Sequence, residues 1–207
     1  LPKPAELNLV DLISWKEEIV NKLNKGVESL LKAAKVNLIS GWANFIDAKT
    51  CIVKNSNEEI RIEAEHVILA NGSIPVELPF MPFDENIISS REALQLEELP
   101  KHLVVVGGGY IGLELGIAYR LLGSEVTIIE AMDSVLPIFD KELRRPVELY
   151  LKKNKIKVNT KSFAKGVEKT EKGVKINFTN SKGESNSIEA DKVLVTVGRK
   201  PRSKDCG

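Results

Sequence analysis

The stretch VVVGGGYIGLELGIAYRLLGSEVTIIE, Val104 to Glu130, decides how this chain folds. Its opening apolar run is short and continuous, as in a strand covered on both faces. Three glycines follow at once, and Gly107-x-Gly109-x-x-Gly112 falls where that strand must turn into a helix. Gly107 permits the tight turn, Gly109 lets a pyrophosphate approach the backbone, and Gly112 lets helix and strand lie close together. The helix start offers free N–H groups and the positive end of its dipole to phosphates. Glu130 ends a second apolar run, 18 residues after Gly112. An acid there accepts hydrogen bonds from ribose hydroxyls. The competing reading, an ordinary strand-turn-helix with a solvated glutamate, does not require these features to occur together. In this order they make a strong dinucleotide-binding signal.

Outward from the motif the pattern continues as an α/β chain. From His102 the order is strand, helix, strand and a linker at AMDSVLP. A helix over 140–153, a strand over 156–160 and a β-meander turning at TEKG and NSKGE follow, closed by KVLVTVG over 192–198. Upstream, Leu12, Ile19, Leu23, Val27, Leu30 and Leu31 recur at helical spacing and predict an amphipathic helix over 9–35, entered by a polar-capped turn after two prolines. Strands are expected over 36–46 and in a hairpin over 51–64 that turns about Asn55–Asn57. HVILA, 66–70, reads as a buried strand running into Asn71-Gly72-Ser73. Pro75, Pro79 and Pro82 make 74–84 a connector, so the domains are expected at 1–84 and 85–207.

A second feature concerns the first of these domains. IEAEHVILANGSIP (62–75) lies over IEADKVLVTVGRKP (188–201) at a constant offset of 126 residues. Such self-similarity suggests a duplicated unit. The later copy closes a domain that opens at Gly107, 91 residues before Gly198. The same interval counted back from Gly72 falls before Leu1, so the first nucleotide domain is expected to lack its opening half. The missing initial methionine points the same way, to an internal fragment.

Bulk properties exclude several classes. The 207 residues carry 30 basic and 29 acidic side chains, for a net charge of +1. That balance gives no electrostatic case for nucleic acid or an anionic membrane. No apolar run is long enough for a transmembrane helix, and the opening LPKPAELNLVDL lacks the regions of a signal peptide. Cys51 and Cys206 form no closely spaced pair. A reducing compartment is expected, cytoplasmic in a bacterium or the mitochondrial matrix in a eukaryote.

With these residues in view, the chain resembles the pyridine nucleotide-disulphide oxidoreductases over essentially its whole length. VVVGGGYIGLELG, LLGSEVTIIE, VLPIFDKEL, AKGVE and TVGRKP are the most specific parts. Within the family the likeness is greatest to the branch that oxidises dihydrolipoamide, the E3 component of 2-oxoacid dehydrogenase complexes. ANGSIP resembles the family's A-T-G-S-x-P closure of its FAD domain, with Asn71 in place of the usual threonine. The resemblance implies tandem Rossmann-like FAD and NAD domains, each with a β-meander, the first incomplete. It also implies a flavin passing electrons from a redox disulphide to NAD⁺. The partners it implies are dihydrolipoamide on the lipoyl domain of an E2 acyltransferase and a second copy of the full-length chain.

Carried over by position, the resemblance places Gly107, Gly108, Gly109, Tyr110, Ile111, Gly112, Leu113 and Glu114 on NAD, with Glu114 near the nicotinamide. Glu130 binds the adenosine ribose, Gly198 lines the pocket, and Ser162 lies toward the adenine. Ala43, Asn71, Gly72 and Ser73 match positions that contact FAD. The family's C-x4-C disulphide is expected upstream of Leu1, and its second flavin motif and catalytic His-Glu pair beyond Gly207. No catalytic residue or metal site is therefore expected in this chain. His66 and His102 each precede a strand and read as surface residues. Arg199 reads as a solvated or ion-paired arginine, and Trp15 and Trp42 as partly buried packing. The alternatives are an NADPH-using disulphide reductase, a mercuric reductase or a non-catalytic nucleotide-binding module. Against the first, AMDSVLPIF (131–139) holds no base for a 2′-phosphate.

Overall fold

The computed structural model describes residues 8–56 and 58–204. The first elements are α1 (Leu9–Ala33), β1 (Trp42–Phe45), β2 (Thr50–Lys54), β3 (Glu59–Glu63), β4 (Ser73–Pro75), β5 (Ile87–Ile88) and α2 (Ser90–Ala93). Next come β6 (His102–Val106), α3 (Tyr110–Leu122), β7 (Glu125–Ile129), α4 (Lys141–Lys153) and β8 (Lys157–Asn159). The last are β9 (Phe163–Thr170), β10 (Gly173–Thr179), β11 (Ser185–Ala190), β12 (Lys192–Val195) and β13 (Arg199–Pro201). Two compact units result: Pro75–Arg199 with the residues up to Ser14, and Trp15–Ile74 with the residues from Lys200. The division falls at the first residues of the proline-rich connector.

In the larger unit the five-stranded sheet has the order β5-β12-β6-β7-β8, with every pairing parallel. A parallel sheet needs both faces covered, which is why β6 reads as an unbroken apolar run. Side chains alternate along a strand, and the core divides accordingly. Leu103 and Val105 point to the helices, packing with Leu113, Tyr119, Val126, Ile128, Leu151 and Leu194. Val104 and Val106 point the other way, to Val174, Ile176 and Phe178 of the β9–β11 meander. The unit is therefore three layers deep: helices, parallel sheet, antiparallel meander. Helix α3 stops at Gly123, whose φ of 122° suits a residue without Cβ, and its N–H donates back to the Tyr119 carbonyl at 3.1 Å.

The smaller unit contains the antiparallel meander β1-β2-β3. Its hairpin closes as expected, with the Glu58 N–H donating to Asn55 Oδ1 at 2.9 Å; Asn57 lies outside the described residues. Helix α1 forms, and Asn8 Oδ1 accepts from the Asp11 N–H at 3.3 Å in the manner of an N-cap. The prolines before it lie outside the described residues, as does Cys206.

Three expectations are corrected. The strand expected over 36–46 is confined to Trp42–Phe45, because its partner β2 ends the ladder at the Trp42–Lys54 pair. Residues 66–70 are not a strand and not buried: Ile68 is 90% exposed and Leu69 66% exposed. A buried strand needs a neighbouring strand, and among the described residues none pairs with 66–70. For a related reason the apolar stripe of α1 is exposed at Leu23, Val27 and Leu30, and Leu9 is its buried residue. Sequence reading also missed β4 and β13, which form a two-stranded sheet. The Val76 N–H donates to the Gly198 carbonyl and the Arg202 N–H to the Gly72 carbonyl, both at 3.0 Å. Val76 and Arg202, like Gly72 and Gly198, are separated by the repeat offset of 126.

The short edge strand β5 is held by Asp84. Its Oδ1 accepts from the N–H groups of Asn86 at 2.8 Å and Ile87 at 2.9 Å, and Oδ2 pairs with Lys169 Nζ at 2.8 Å. The bond to Lys169 first, and then the Ile87 and Asn86 N–H groups, hold the Asp84 carboxyl below the usual carboxylate range against its partial burial.

Two measurements test this architecture. Leu103→Ala should lower unfolding free energy by about 2–5 kcal/mol, whereas Ile68→Ser should change it by no more than about 0.5 kcal/mol. Urea denaturation decides, and a large cost at Ile68 would restore the buried strand. A depressed carboxyl stabilises above its unfolded pKa and ceases to do so as pH falls through its folded value. The midpoint difference between the native chain and Asp84→Asn should therefore be present at neutral pH and shrink below about pH 4. A difference independent of pH would show that the carboxylate charge plays no part.

Candidate functional site

The glycine turn follows β6 directly and lies where the sheet connections diverge. From β6 the chain proceeds through α3 to β7 on one side, while β12 lies on the other. Ligands of open α/β sheets bind at such a point, beyond the carboxyl ends of the strands. Gly107 has φ of 106°, and a Cβ there would come within 2.6 Å of the Thr196 carbonyl oxygen at the end of β12. Gly112 is tighter still: a Cβ would overlap the Gly107 carbonyl and come within 2.5 Å of Thr196 Oγ1. That hydroxyl donates to the Gly107 carbonyl at 2.9 Å. Gly109 is different in kind. It is the N-cap of α3, and a Cβ there would meet nothing within 4 Å. No side chain caps α3 and its first turn holds no acid, so its N–H groups remain available to an anion.

Glu130, directly after β7, is 7% exposed. Its Oε2 accepts from the Gly108 N–H at 2.5 Å and its Oε1 from the Met132 N–H at 2.7 Å. Its main chain is pinned as well: the Glu130 N–H donates to Asn159 O at 2.8 Å, and Glu130 O accepts from the Ser162 N–H at 2.9 Å. The carboxylate is thus fixed between the glycine turn and the loop after β7. Leu136 closes that loop onto the same peptide, its N–H donating to the Gly108 carbonyl at 2.9 Å.

These groups border a cavity of about 800 Å³. Of the residues expected on a nicotinamide dinucleotide, Gly107, Gly109, Tyr110, Ile111, Glu130, Ser162 and Gly198 line it. Gly108, Gly112 and Leu113 are buried behind the turn, Leu113 in the core cluster, and Glu114 is exposed on α3. Ser162 is buried, with its hydroxyl donating to the Thr160 carbonyl at 3.1 Å. Sequence reading missed Thr196, Met132, Leu136, Phe163 and Lys165, which also line the cavity. Thr196 had a legible signal, since it precedes Val197-Gly198 in the repeated stretch; Leu136 had none.

The residues expected on a flavin lie in the smaller unit. Ala43 sits on β1 opposite Val53, and Asn71, Gly72 and Ser73 are consecutive and exposed. The Asn71 amide donates to the Arg202 carbonyl, and Gly72 adopts φ of 74°. None of the four lines the cavity described above. His66 is exposed, while His102 is half-buried with Nε2 at 2.9 Å from Thr127 Oγ1. Trp15 and Trp42 are 59% and 54% exposed, less buried than expected. Arg199 lines the cavity. Among the described residues no acid, His and Cys cluster could hold a metal ion, and no helix is long and apolar enough to cross a membrane.

Comparison with known proteins gives concordant results. The family described as pyridine nucleotide-disulphide oxidoreductase matches residues 2–206. Dihydrolipoyl dehydrogenase of Staphylococcus aureus is 42% identical over 207 residues, covering 100% of this chain and 44% of the relative. That of Geobacillus stearothermophilus is 45% identical over 193 residues, covering 93% of this chain and 41% of the relative. Among solved structures, LpdA from Mycobacterium tuberculosis superposes with a TM-score of 0.88 at 25% identity, over 99% of this chain and 46% of that one. The HOCl-induced flavoprotein disulfide reductase RclA from Escherichia coli gives 0.80 at 28% identity, over 95% of this chain and 44% of that one. The chain thus spans less than half the length of the curated relatives it matches. With the glycine turn, Glu130 and the switch-point cavity all in place, it belongs to the pyridine nucleotide-disulphide oxidoreductase family, whose members use a flavin and NAD or NADP.

Proposed function

We propose that this chain is the nucleotide-binding part of a dihydrolipoyl dehydrogenase, the E3 component of a 2-oxoacid dehydrogenase complex. The observation that carries the reading is the cavity at the carboxyl ends of β6, β7 and β12. It combines open space over Gly109, an uncapped helix start and a fixed carboxylate. Those features fit a dinucleotide, whose pyrophosphate needs N–H donors and whose ribose needs an acceptor. Identity of 42–45% to dihydrolipoyl dehydrogenases over nearly the whole chain supports the choice of branch.

In this reading Gly107, Gly109 and the start of α3 at Tyr110 and Ile111 would face the pyrophosphate of NAD, while Gly108, Gly112 and Leu113 would shape the turn from behind. Glu130 would receive the ribose hydroxyls, Ser162 and Gly198 would line the pocket, and Glu114 would stand toward the nicotinamide. Ala43, Asn71, Gly72 and Ser73 would hold part of FAD. The bound flavin and nicotinamide supply the two-electron transfer from a dithiol to NAD⁺. This chain's own contribution is to orient the dinucleotide and to set the choice between NAD and NADP at Glu130. The parent protein is a homodimer acting on dihydrolipoamide carried by the lipoyl domain of an E2 acyltransferase. It works in the cytoplasm of a bacterium, or in the mitochondrial matrix if the source is eukaryotic. The domain division of 1–84 for FAD and 85–207 for NAD belongs to the same proposal. No residue of this chain is assigned the redox disulphide or the acid–base histidine.

Two glycine substitutions separate folding from binding. Gly109→Ala adds a methyl group to open space at a φ of −74° and should cost no more than about 1 kcal/mol, the loss of a glycine N-cap, while weakening NADH binding. Gly112→Ala puts a methyl group against the Gly107 carbonyl and should destabilise the fold by about 1–3 kcal/mol. Calorimetric titration of Gly109→Ala with wild-type NADH affinity would remove the pyrophosphate from this turn. The 207-residue chain by itself should show no dihydrolipoamide-dependent NAD⁺ reduction above buffer, since Cys51 and Cys206 are not a spaced redox pair. Turnover with contaminating enzyme excluded would show that the catalytic groups are here after all.

A further inference from the structure

Glu130 does more than present a carboxylate to the cavity, since both of its oxygens already accept main-chain N–H groups, from Gly108 at 2.5 Å and Met132 at 2.7 Å. Two main-chain N–H groups from separate loops converge on the two oxygens of one buried carboxylate, and donors so placed favour an anion. We infer that the Gly108 and Met132 N–H groups form an anion hole which Glu130 fills from within. Occupancy of this hole, rather than the charge of Glu130 alone, sets nucleotide choice at this site. With the carboxylate withdrawn, the hole takes an external oxyanion, and a 2′-phosphorylated nucleotide carries one. The statement about nucleotide choice rests on the reading of the cavity as a dinucleotide site; the hole itself does not.

Lone-pair counting supports this. An ionised carboxylate offers about four acceptor sites. The two N–H groups take two, and the remaining two match the two donors of an unmodified ribose diol. A 2′-phosphate brings only acceptors, and with Glu130 in place the Gly108 and Met132 N–H groups are already taken. The fit around Gly108 is close: a Cβ there would lie 3.1 Å from Glu130 Oε2 and 3.0 Å from Val135 Cγ1. The carboxylate is therefore part of the packing of the turn, and removing it leaves the Met132 N–H at the cavity wall and the Gly108 N–H at the bottom of the space the side chain vacates, both without a partner.

Glutamine and alanine at position 130 separate occupancy from charge. Both remove the negative charge. Glutamine still fills the hole, but it turns an NH₂ donor toward one of the two N–H groups, whereas alanine empties it. The full 207-residue chain and its Glu130→Ala, Glu130→Ser and Glu130→Gln variants are titrated with NADH and NADPH. Their thermal midpoints are then measured with inorganic phosphate and with chloride at matched ionic strength. Alanine and serine should gain roughly tenfold in NADPH affinity, the scale of one charge-assisted hydrogen bond. Phosphate, and not chloride, should raise their midpoints. The unsubstituted chain and the glutamine variant should show neither effect. An equal NADPH gain in the glutamine and alanine variants would mean that charge alone decides, and the proposal falls. It falls also if phosphate leaves the alanine and serine variants unchanged, or if neither folds with phosphate present. Should the unsubstituted chain bind neither nucleotide while phosphate still stabilises the alanine variant, the dinucleotide reading fails and the anion hole stands.

Discussion

The Gly108 peptide is held on both sides. Its N–H donates to Glu130 Oε2, its carbonyl accepts from the Leu136 N–H, and the preceding carbonyl of Gly107 accepts from Thr196 Oγ1. The end of β7, the loop that follows it and the end of β12 therefore all converge on one turn of chain. Each of those bonds is worth only about 0.5–1.5 kcal/mol net, somewhat more where the carboxylate is involved. Their effect is geometric: they fix the turn that aims the start of α3 at the cavity.

This convergence depends on the layers beneath it. Strand β6 buries Leu103 and Val105 under the helices and Val104 and Val106 under the meander. A shift of register by one residue would exchange the two faces of the strand. With β6, β7 and β12 locked in register, their carboxyl ends place Gly107, Glu130 and Thr196 around one opening. A buried carboxylate is costly without hydrogen-bond donors. Two main-chain N–H groups meet that cost here, and the parallel sheet sets where they are.

Much of this was legible in the sequence wherever the physical cause is local. The glycine spacing, the apolar run of β6 and the acid after β7 each follow from steric or dipolar requirements of neighbouring residues. The reading failed where the cause is distant. Residues 66–70 are apolar enough for a buried strand, yet Ile68 is almost fully exposed, because burial depends on a partner and not on composition. The stripe of α1 has helical period, but a period does not supply the surface that would cover it. Strands β4 and β13 were missed for the same reason. Their pairing joins residues far apart in sequence, and neither is long enough to show alternation.

Leu136 shows how a site residue can leave no trace in the sequence. Its φ is 50°, a region that favours glycine or asparagine, and it precedes Pro137, which favours an extended predecessor. Such a conformation costs on the order of 1–3 kcal/mol, more than the single bond from its N–H to Gly108 returns. Packing supplies the remainder. Val135 is 2% exposed within the helix-side core, Leu136 packs against that same cluster while lining the cavity, and the Phe139 N–H closes the turn onto the Leu136 carbonyl at 3.0 Å. The chain passes from core to cavity wall within one residue, and it does so through a left-handed conformation that leaves the Leu136 N–H on Gly108. The strained residue is thus the link through which the core holds the glycine turn.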